Sequence, residues 1–331
     1  MKRSDYYYAQ RDRQESILTQ TNLFDGASGN GIYWNNEKKE WEHYLHILQH
    51  QDSLKNMFAP IRQAVMNYYD EYDIAWWGAD DDRYFPTGNL LSSQIHCLNH
   101  LFKLRTDPEA VLTIIKKQCP KIKKVLPSPI DWHEFIFENN KPKKIDSYIS
   151  FEFTFDNVHL LKERTCKRGK KCTSIDAFVY AEDENGQFIL IPIEWKYTES
   201  YEKEDKYKAK DCVVNKRYKD LASRPYSNLN GWKDEYYYDP LYEFARQTLL
   251  MEQIIHENPM GSLHDKADDY VHIIVRPNDN KEICTDIQNF KKDLKNKDKV
   301  IEIDPQDLLS PMRDNKKYED LINYLQTRYW E

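Results

Sequence analysis

Glycine is scarce in this chain: nine in 331 positions, about 3% where soluble domains average about 7%. Little material is left for loops that cradle phosphates with bare backbone. Neither G-x-G-x-x-G nor G-x-x-x-x-G-K-[ST] occurs, which argues against dinucleotide enzymes and P-loop nucleotide hydrolases. Long apolar runs are missing too. The longest obvious one, Phe188–Ile193, falls far short of the ~18–20 residues of a membrane helix. The opening Met1-Lys2-Arg3-Ser4-Asp5 leads into polar sequence with no apolar segment of signal-peptide type, so a cytoplasmic protein is expected. Cys97, Cys119, Cys166, Cys172, Cys212 and Cys284 form no C-x-x-C and read as reduced thiols, not a disulfide framework.

The chain is long enough for about two domains, or one elaborated one, with a core that needs no staples. Its net charge is 48 minus 55, or -7, which argues against a general nucleic-acid coat protein. The sum hides a local excess. Residues 103–171 hold 16 Lys or Arg against nine Asp or Glu, or +7, so the remainder carries -14. A basic face is compatible with an acidic whole.

Along the chain, the first 85 residues look helical and aromatic-rich, with a glycine cluster at Gly26, Gly29 and Gly31. Trp41–Gln51 has helical spacing and puts His43, His46 and His50 on related turns. These read as a solvated face, since a metal needs more ligands. Asn89–Lys103 predicts a clearer helix, with Leu91, Ile95, Leu98 and Phe102 in one stripe. Gln94 borders that stripe. His96 and His100 lie opposite it and are expected to face water. Residues 148–155 alternate with period two and predict a strand. Thr173–Ala181 and Gln187–Tyr197 predict two more, joined by Asp183-Glu184-Asn185-Gly186, a strong hairpin signal. Asp239-Pro240 predicts a helix start, with Asp239 as N-cap, Leu241, Phe244, Ala245 and Thr248 on one face, and an end near Asn258. Asp269–Arg276 is a further strand, and another lies near Val300–Ile303. The middle thus reads helix, three strands, helix, strand, an α/β class with a mixed sheet flanked by helices.

Chemistry concentrates at Ser174-Ile175-Asp176 and Ile193-Glu194-Trp195-Lys196. In a strand, residues i and i+2 share a face, so Glu194 and Lys196 project together. Two carboxylates and one lysine at the end of an apolar strand are costly to bury unless they bind something, and a divalent cation supplies the missing charge. Hard oxygen donors suit Mg2+, which polarises phosphate oxygens and acidifies water. Register tests the idea. With Asn185-Gly186 as a two-residue turn, residue i pairs with 371 minus i, and Asp176 faces Trp195. One extra residue, in a loop with a bulge at Gly186 or at Pro192, pairs Asp176 with Glu194, and such a bulge is predicted.

These residues resemble the PD-(D/E)XK nuclease superfamily. Asp176, Glu194 and Lys196 match its Asp, Glu and Lys. The string Thr173–Asp176 with Ile193–Glu199, and Leu90-Leu91-Ser92-Ser93-Gln94 on the first helix, resemble a bacterial, restriction-endonuclease-like branch. The resemblance implies a restriction-endonuclease-like core over residues 88–280, a mostly helical N-terminal extension over 1–87, and a C-terminal α/β extension over 281–331. It implies Mg2+-dependent hydrolysis of DNA, with Mn2+ able to substitute. Asp176, Glu194 and the Trp195 carbonyl would be metal ligands and Lys196 the catalytic lysine. Gln94 stands where many members carry a carboxylate, which leaves one metal or two open. Glu152 and Ser174 are candidate auxiliary groups. Lys167, Arg168, Lys170 and Lys171, with Arg246 and Gln247 on the second helix, are candidate DNA contacts. Tyr84, Tyr201, Tyr226, Trp232 and Tyr236–Tyr238 either stack bases or fill cores. Glu204-Asp205-Lys206 is also E-x-K but follows no apolar strand and reads as solvated charge. A restriction or other defence endonuclease is the first expectation. A repair or processing nuclease, and a non-catalytic DNA-binding scaffold on a degenerate fold, are the alternatives. A homodimer is left open.

Overall fold

The computed structural model describes residues 3–35, 38–77, 85–131, 134–138, 141–155, 160–163, 167–170, 172–199, 213–257 and 267–330. Helix α1 (Asp5–Gln20) is capped by Ser4, whose hydroxyl accepts the Tyr7 N–H at 2.9 Å. Strands β1 (Gly31–Asn35) and β2 (Glu40–Tyr44) then form an antiparallel hairpin with Trp34 opposite Trp41. The helix expected over Trp41–Gln51 is therefore corrected. Its aromatic, alternating start pairs with β1 instead, as such residues favour on a pleated surface, and a 3-10 turn follows only at His50–Asn56.

Helix α2 (Arg62–Glu71) precedes α3 (Ser93–Leu101), where the Ser92 hydroxyl caps the start by accepting the Ile95 N–H. Asp107 caps α4 (Pro108–Gln118) and leads, through it, to β3 (Ile122–Leu126). Strands β4 (Glu134–Glu138) and β5 (Lys141–Ile145) pair only with each other among the described residues. Then come β6 (Ser150–Phe153), β7 (Ile175–Asp183) and β8 (Phe188–Trp195). A short α5 (Lys219–Ala222) precedes the long α6 (Leu241–Glu257), then β9 (Asp269–Tyr270), β10 (His272–Val275), α7 (Glu282–Asp293), β11 (Val300–Ile303), α8 (Pro305–Leu309) and α9 (Glu319–Leu325). The start of α6 falls one residue later than expected: the Pro240 carbonyl, not that of Asp239, accepts the Phe244 N–H.

The main sheet runs β11-β10-β8-β7-β3, with β6 also on β7 and β9 also on β8. Strands β6, β7 and β8 pair antiparallel in succession, while β8, β10 and β11 are parallel. The fold is thus a mixed α/β sheet with helices on both faces. One core packs α2, α3, α4 and α9 on Ala177, Val179, Ile191, Ile193 and Trp195. The other packs α6 and α7 on Phe178, Tyr180, Leu190 and Ile274. Alternate residues of β7 and β8 serve opposite cores, as the two-residue period demands. No helix among the described residues is long and apolar enough to cross a membrane.

His96 and His100 do not face water: their exposures are 1% and 0%. The apolar stripe of α3 covers one face only, but the chain's last residues cover the other. Trp195 donates its indole N–H to His96 Nδ1 at 2.6 Å, and Trp330 donates to His100 Nε2 at 3.2 Å. Burial drives the His100 pKa down to about 3 and that of His96 well below its ordinary value. Both rings are neutral and structural.

Candidate active site at the β7–β8 sheet end

The hairpin register decides what the site contains. Asp183 accepts the Gly186 N–H at 3.2 Å and donates its own N–H to Gln187 O at 2.9 Å. Gly186 has φ +77, the left-handed conformation of a three-residue loop with a glycine bulge. Pairing then runs unbroken from Glu182↔Phe188 to Ala177↔Ile193. The extra residue is at Gly186, and none is needed at Pro192, which sits opposite Phe178. Pro192 lacks an N–H, and its position suits that lack. The parallel ladder on the other side of β8 is interrupted there, with β9 on Ile189 and Leu190 and β10 on Ile193 to Trp195. Extending the register one step sets Asp176 across from Glu194, and the Trp195 N–H donates to Asp176 Oδ2 at 2.7 Å.

Around this pair the structure gathers four carboxylates and one lysine. Glu194 and Lys196 are 1% and 5% exposed and form an ion pair. Lys196 Nζ also donates to Glu243 Oε2 of α6 at 2.5 Å. Gln247, one turn further along α6, donates to Glu194 Oε2 at 2.5 Å and to Ser174 O at 3.1 Å. Glu152 enters from β6 with φ +49, a strained conformation for a residue with a Cβ. It is skipped by the pairing of Phe151 with Ala177 and Phe153 with Ile175. From α3, Gln94 donates to Glu152 Oε1 at 2.6 Å and accepts the Trp77 N–H at 3.0 Å. Gln94 thus orients the Glu152 carboxyl and brings no charge of its own.

Electrostatics follow from crowding. Burial pushes the pKa of Asp176 well up, with Glu152 and Glu243 adding to it and Lys196 opposing. Burial does the same to Glu194, with Asp176 and Glu243 adding to it. Glu152 is pushed up to about 7 by burial, against the hydrogen bond from Gln94. For Glu243 burial acts upward as well, but Lys196 and Arg246 win and hold it below the usual range. Carboxyl groups outnumber the ammonium here, and their upward shifts are the mark of crowded acids, a crowding that a bound cation would relieve. The donor set of Asp176 and Glu194 is hard oxygen and suits Mg2+. Among the described residues, no three His, Cys, Asp or Glu side chains already stand as a metal cluster, and Lys196 supplies the local cation.

The expected DNA contacts divide. Arg168 is 8% exposed and is tied to Asp131 Oδ1 at 2.8 Å, Tyr68 Oη at 2.6 Å and Phe151 O at 2.5 Å. It is an internal strut under β6, a placement that leaves no fork for a phosphate. Lys167 pairs with Asp73 at 2.6 Å. Lys170 is half-buried, beside Lys167 in a tight turn. Lys171 lies outside the described residues, as do Tyr84, Tyr201 and Glu204-Asp205-Lys206. Arg246 lies 4.6 Å over the Tyr242 ring and 4.0 Å from Glu163. Ser174 accepts the Gly169 N–H at 2.9 Å. The basic segment is also less available than its count suggests, since Lys103 pairs with Asp320 and Lys124 with Glu182. Tyr236 and Tyr237 are core residues, and Trp232 stacks on Tyr218.

Glu243 escaped the sequence reading. A signal existed: it precedes Gln247 by one helical turn, so the two share a face. The sequence pattern of α6 marks only the neighbouring apolar face, with Leu241, Phe244, Ala245 and Thr248.

A mixed sheet with buried acids and a lysine at the ends of its central strands suits hydrolytic chemistry, and the sequence comparison agrees in class. The chain belongs to a restriction endonuclease family, described as Restriction Endonuclease associating with ARP, which matches residues 13–330. No curated protein and no solved structure matches the chain.

Proposed function

We propose that the protein is a metal-dependent deoxyribonuclease of the PD-(D/E)XK superfamily, used in restriction or another defence role. The observation that carries this reading is the convergence of Asp176, Glu194 and Lys196 at one sheet end. Family membership supports the nuclease class and DNA as its substrate. The succession of α3, β6, β7, β8, α6 and β10 supports a restriction-endonuclease-like core.

In this reading Asp176, Glu194 and the Trp195 carbonyl would hold Mg2+. Bound there, the ion supplies positive charge that polarises a phosphate oxygen and lowers the pKa of water. The residues do the rest. Lys196 lies beside Glu194, where its ammonium orients the attacking water and offsets charge gathering on phosphorus. Gln247 fixes the Glu194 carboxylate, and Gln94 fixes that of Glu152. Trp195 buries its ring in the core at 0% exposure, so the chain on either side of it is rigidly placed.

Plasmid and genomic DNA incubated with Mg2+ test the proposal, comparing wild type with Asp176→Ala and Lys196→Ala. Cleavage by wild type alone is expected. Failure to cut any single- or double-stranded DNA or RNA would favour a binding scaffold on a degenerate fold. Comparing methylated and unmethylated DNA and mapping the ends separates a restriction role from processing of damaged or branched DNA.

A further inference from the structure

Two adjacent tryptophans lie beside the acid pocket and are placed in opposite ways. Trp76 is 7% exposed and stacks on Tyr69, with ring centroids 3.8 Å apart. Trp77 is 52% exposed and makes no ring contact among the described residues. A single apolar side chain on a surface is ordinary. What sets Trp77 apart is where it is held and how firmly.

Its segment is fixed from several sides. The Ala75 N–H donates to Arg168 O at 3.1 Å, and the Gln94 amide donates to Ala75 O at 3.3 Å. The Trp77 N–H donates to Gln94 Oε1 at 3.0 Å, and the same Gln94 holds Glu152. The Trp77 side chain also reaches the Glu152 carboxyl, where its hydrogen bonding opposes the upward push of burial. A Cβ on Gly169 would lie 3.0 Å from Ala75 O and 3.3 Å from Glu152 Oε2, so the basic turn at 167–170 packs on the same spot. Beyond it Lys167 pairs with Asp73, whose carboxylate is 78% exposed. Surface pairs of this kind are worth little, and a phosphate can take the lysine over.

A fixed indole with open surface, at the rim of an acid pocket and beside a lysine, has the two parts of a single-strand site: an aromatic ring for a base and a cation for the backbone. In a paired duplex, both faces of a base are covered by its neighbours. Only an unpaired, terminal or displaced base offers a free one. We propose that Trp77 is a substrate-binding residue whose ring stacks on an unpaired nucleobase beside the phosphate at the Asp176–Glu194 site, with Lys167 on an adjoining phosphate. This rests on the nuclease reading above. The site then favours single-stranded DNA, or a duplex opened at the cut, over a fully paired duplex. Every base has a π-face, so Trp77 selects for strandedness and not for sequence.

The test is binding of the full chain, without divalent metal, to a short labelled single strand and to a hairpin duplex of the same sequence. Trp77→Ala should weaken single-strand binding about 10-fold, the size of one lost base–aromatic stack, and duplex binding by less than about 2-fold. Trp77→Phe keeps a ring and should retain most of the affinity. Stacking releases no counterions, so the salt dependence should be unchanged in Trp77→Ala but shallower by about 0.7 in log–log slope in Lys167→Ala. With 2-aminopurine moved along the single strand, one position should be quenched by wild type and brighten in Trp77→Ala. Unchanged single-strand affinity in folded Trp77→Ala, or an equal loss on strand and duplex, would overturn the proposal. Metal-dependent cleavage by wild type would leave the nuclease reading standing in either case. If wild type neither binds nor cuts DNA, both fall.

Discussion

The backbone N–H of Trp195 donates to Oδ2 of Asp176 at 2.7 Å, tying together the two strands that carry the proposed acids. That contact exists only in one register, and the register is set nine residues away at Gly186. A Cβ there would meet nothing within 4 Å, so the only obstacle to a side chain is the φ of +77. Gly186→Ala should therefore destabilise the fold by about 1–2 kcal/mol, the cost of the left-handed conformation for an L-residue. Gly186→Asn should cost less, because asparagine tolerates that region. Urea unfolding measures both. Equal stability of all three proteins would mean that the loop is not strained as described.

The crowding of acids makes a second expectation, in which activity and stability move in opposite senses. Glu194→Gln and Asp176→Asn should each lower DNA cleavage by roughly 10³-fold or more, since several kcal/mol of charge stabilisation depends on them. Neither should destabilise the fold at pH 8. Burial pushes both pKa values up. Such groups favour the fold only below their unfolded pKa, and that stability is lost as pH rises through the folded value. An amide carries no such loss. Thermal melts at pH 8 that show either variant clearly less stable than wild type would contradict the electrostatic picture.

Arg168 separates binding from bracing. Its guanidinium is buried against Asp131, Tyr68 and Phe151. Arg168→Met should destabilise the protein by about 3–5 kcal/mol, because it strands the Asp131 carboxylate without its partner. Adding Asp131→Leu should return much of that loss. A residue that bound phosphate would instead leave stability unchanged and reduce the salt dependence of DNA binding. Denaturation and salt titrations of both variants distinguish the two outcomes.

What the sequence revealed tracks how local each determinant is. The three strands and the loop with its bulge were legible because period-two alternation and Asp-Glu-Asn-Gly lie within one short window. Asp176, Glu194 and Lys196 were legible for the same reason, since one hairpin carries them all. Glu243 was not, because its partner lies on another element and an acid on a helix looks like ordinary surface. His96 and His100 were misplaced because periodicity marks the face that meets the sheet. It says nothing about Tyr329 and Trp330, which come from the far end of the chain to cover the other face. Arg168 looked like one basic residue in a basic loop, and only the packing of Asp131 and Tyr68 around it shows otherwise. The start of Trp41–Gln51 fits a helical period as well as a strand because short aromatic runs suit both, and only pairing with β1 decides for the strand.

The last expectation concerns Glu252, on α6 beside Tyr270 of β9. It is 1% exposed; its Oε1 accepts the Asn228 N–H at 2.6 Å, while Oε2 has no hydrogen-bond partner among the described residues. Burial pushes its pKa up to about 7 from an ordinary 4.5, against the hydrogen bond from Asn228. Between those values the unfolded chain releases a proton that the folded protein keeps. Glu252 therefore favours the fold below about pH 4.5, and that contribution is lost as pH rises to about 7. The shift corresponds to about 3 kcal/mol. Glu252→Gln keeps an acceptor for Asn228 and removes the titration, so it should be the more stable protein at pH 8 and lose its advantage by pH 5. The buried neutral rings of His100 and His272 act in the other sense, adding stability as pH rises from about 3 toward 6.5. They are common to both proteins and cancel in the difference. Urea midpoints at pH 5, 6, 7 and 8 give that difference directly, and parallel curves would show that Glu252 titrates normally in the fold.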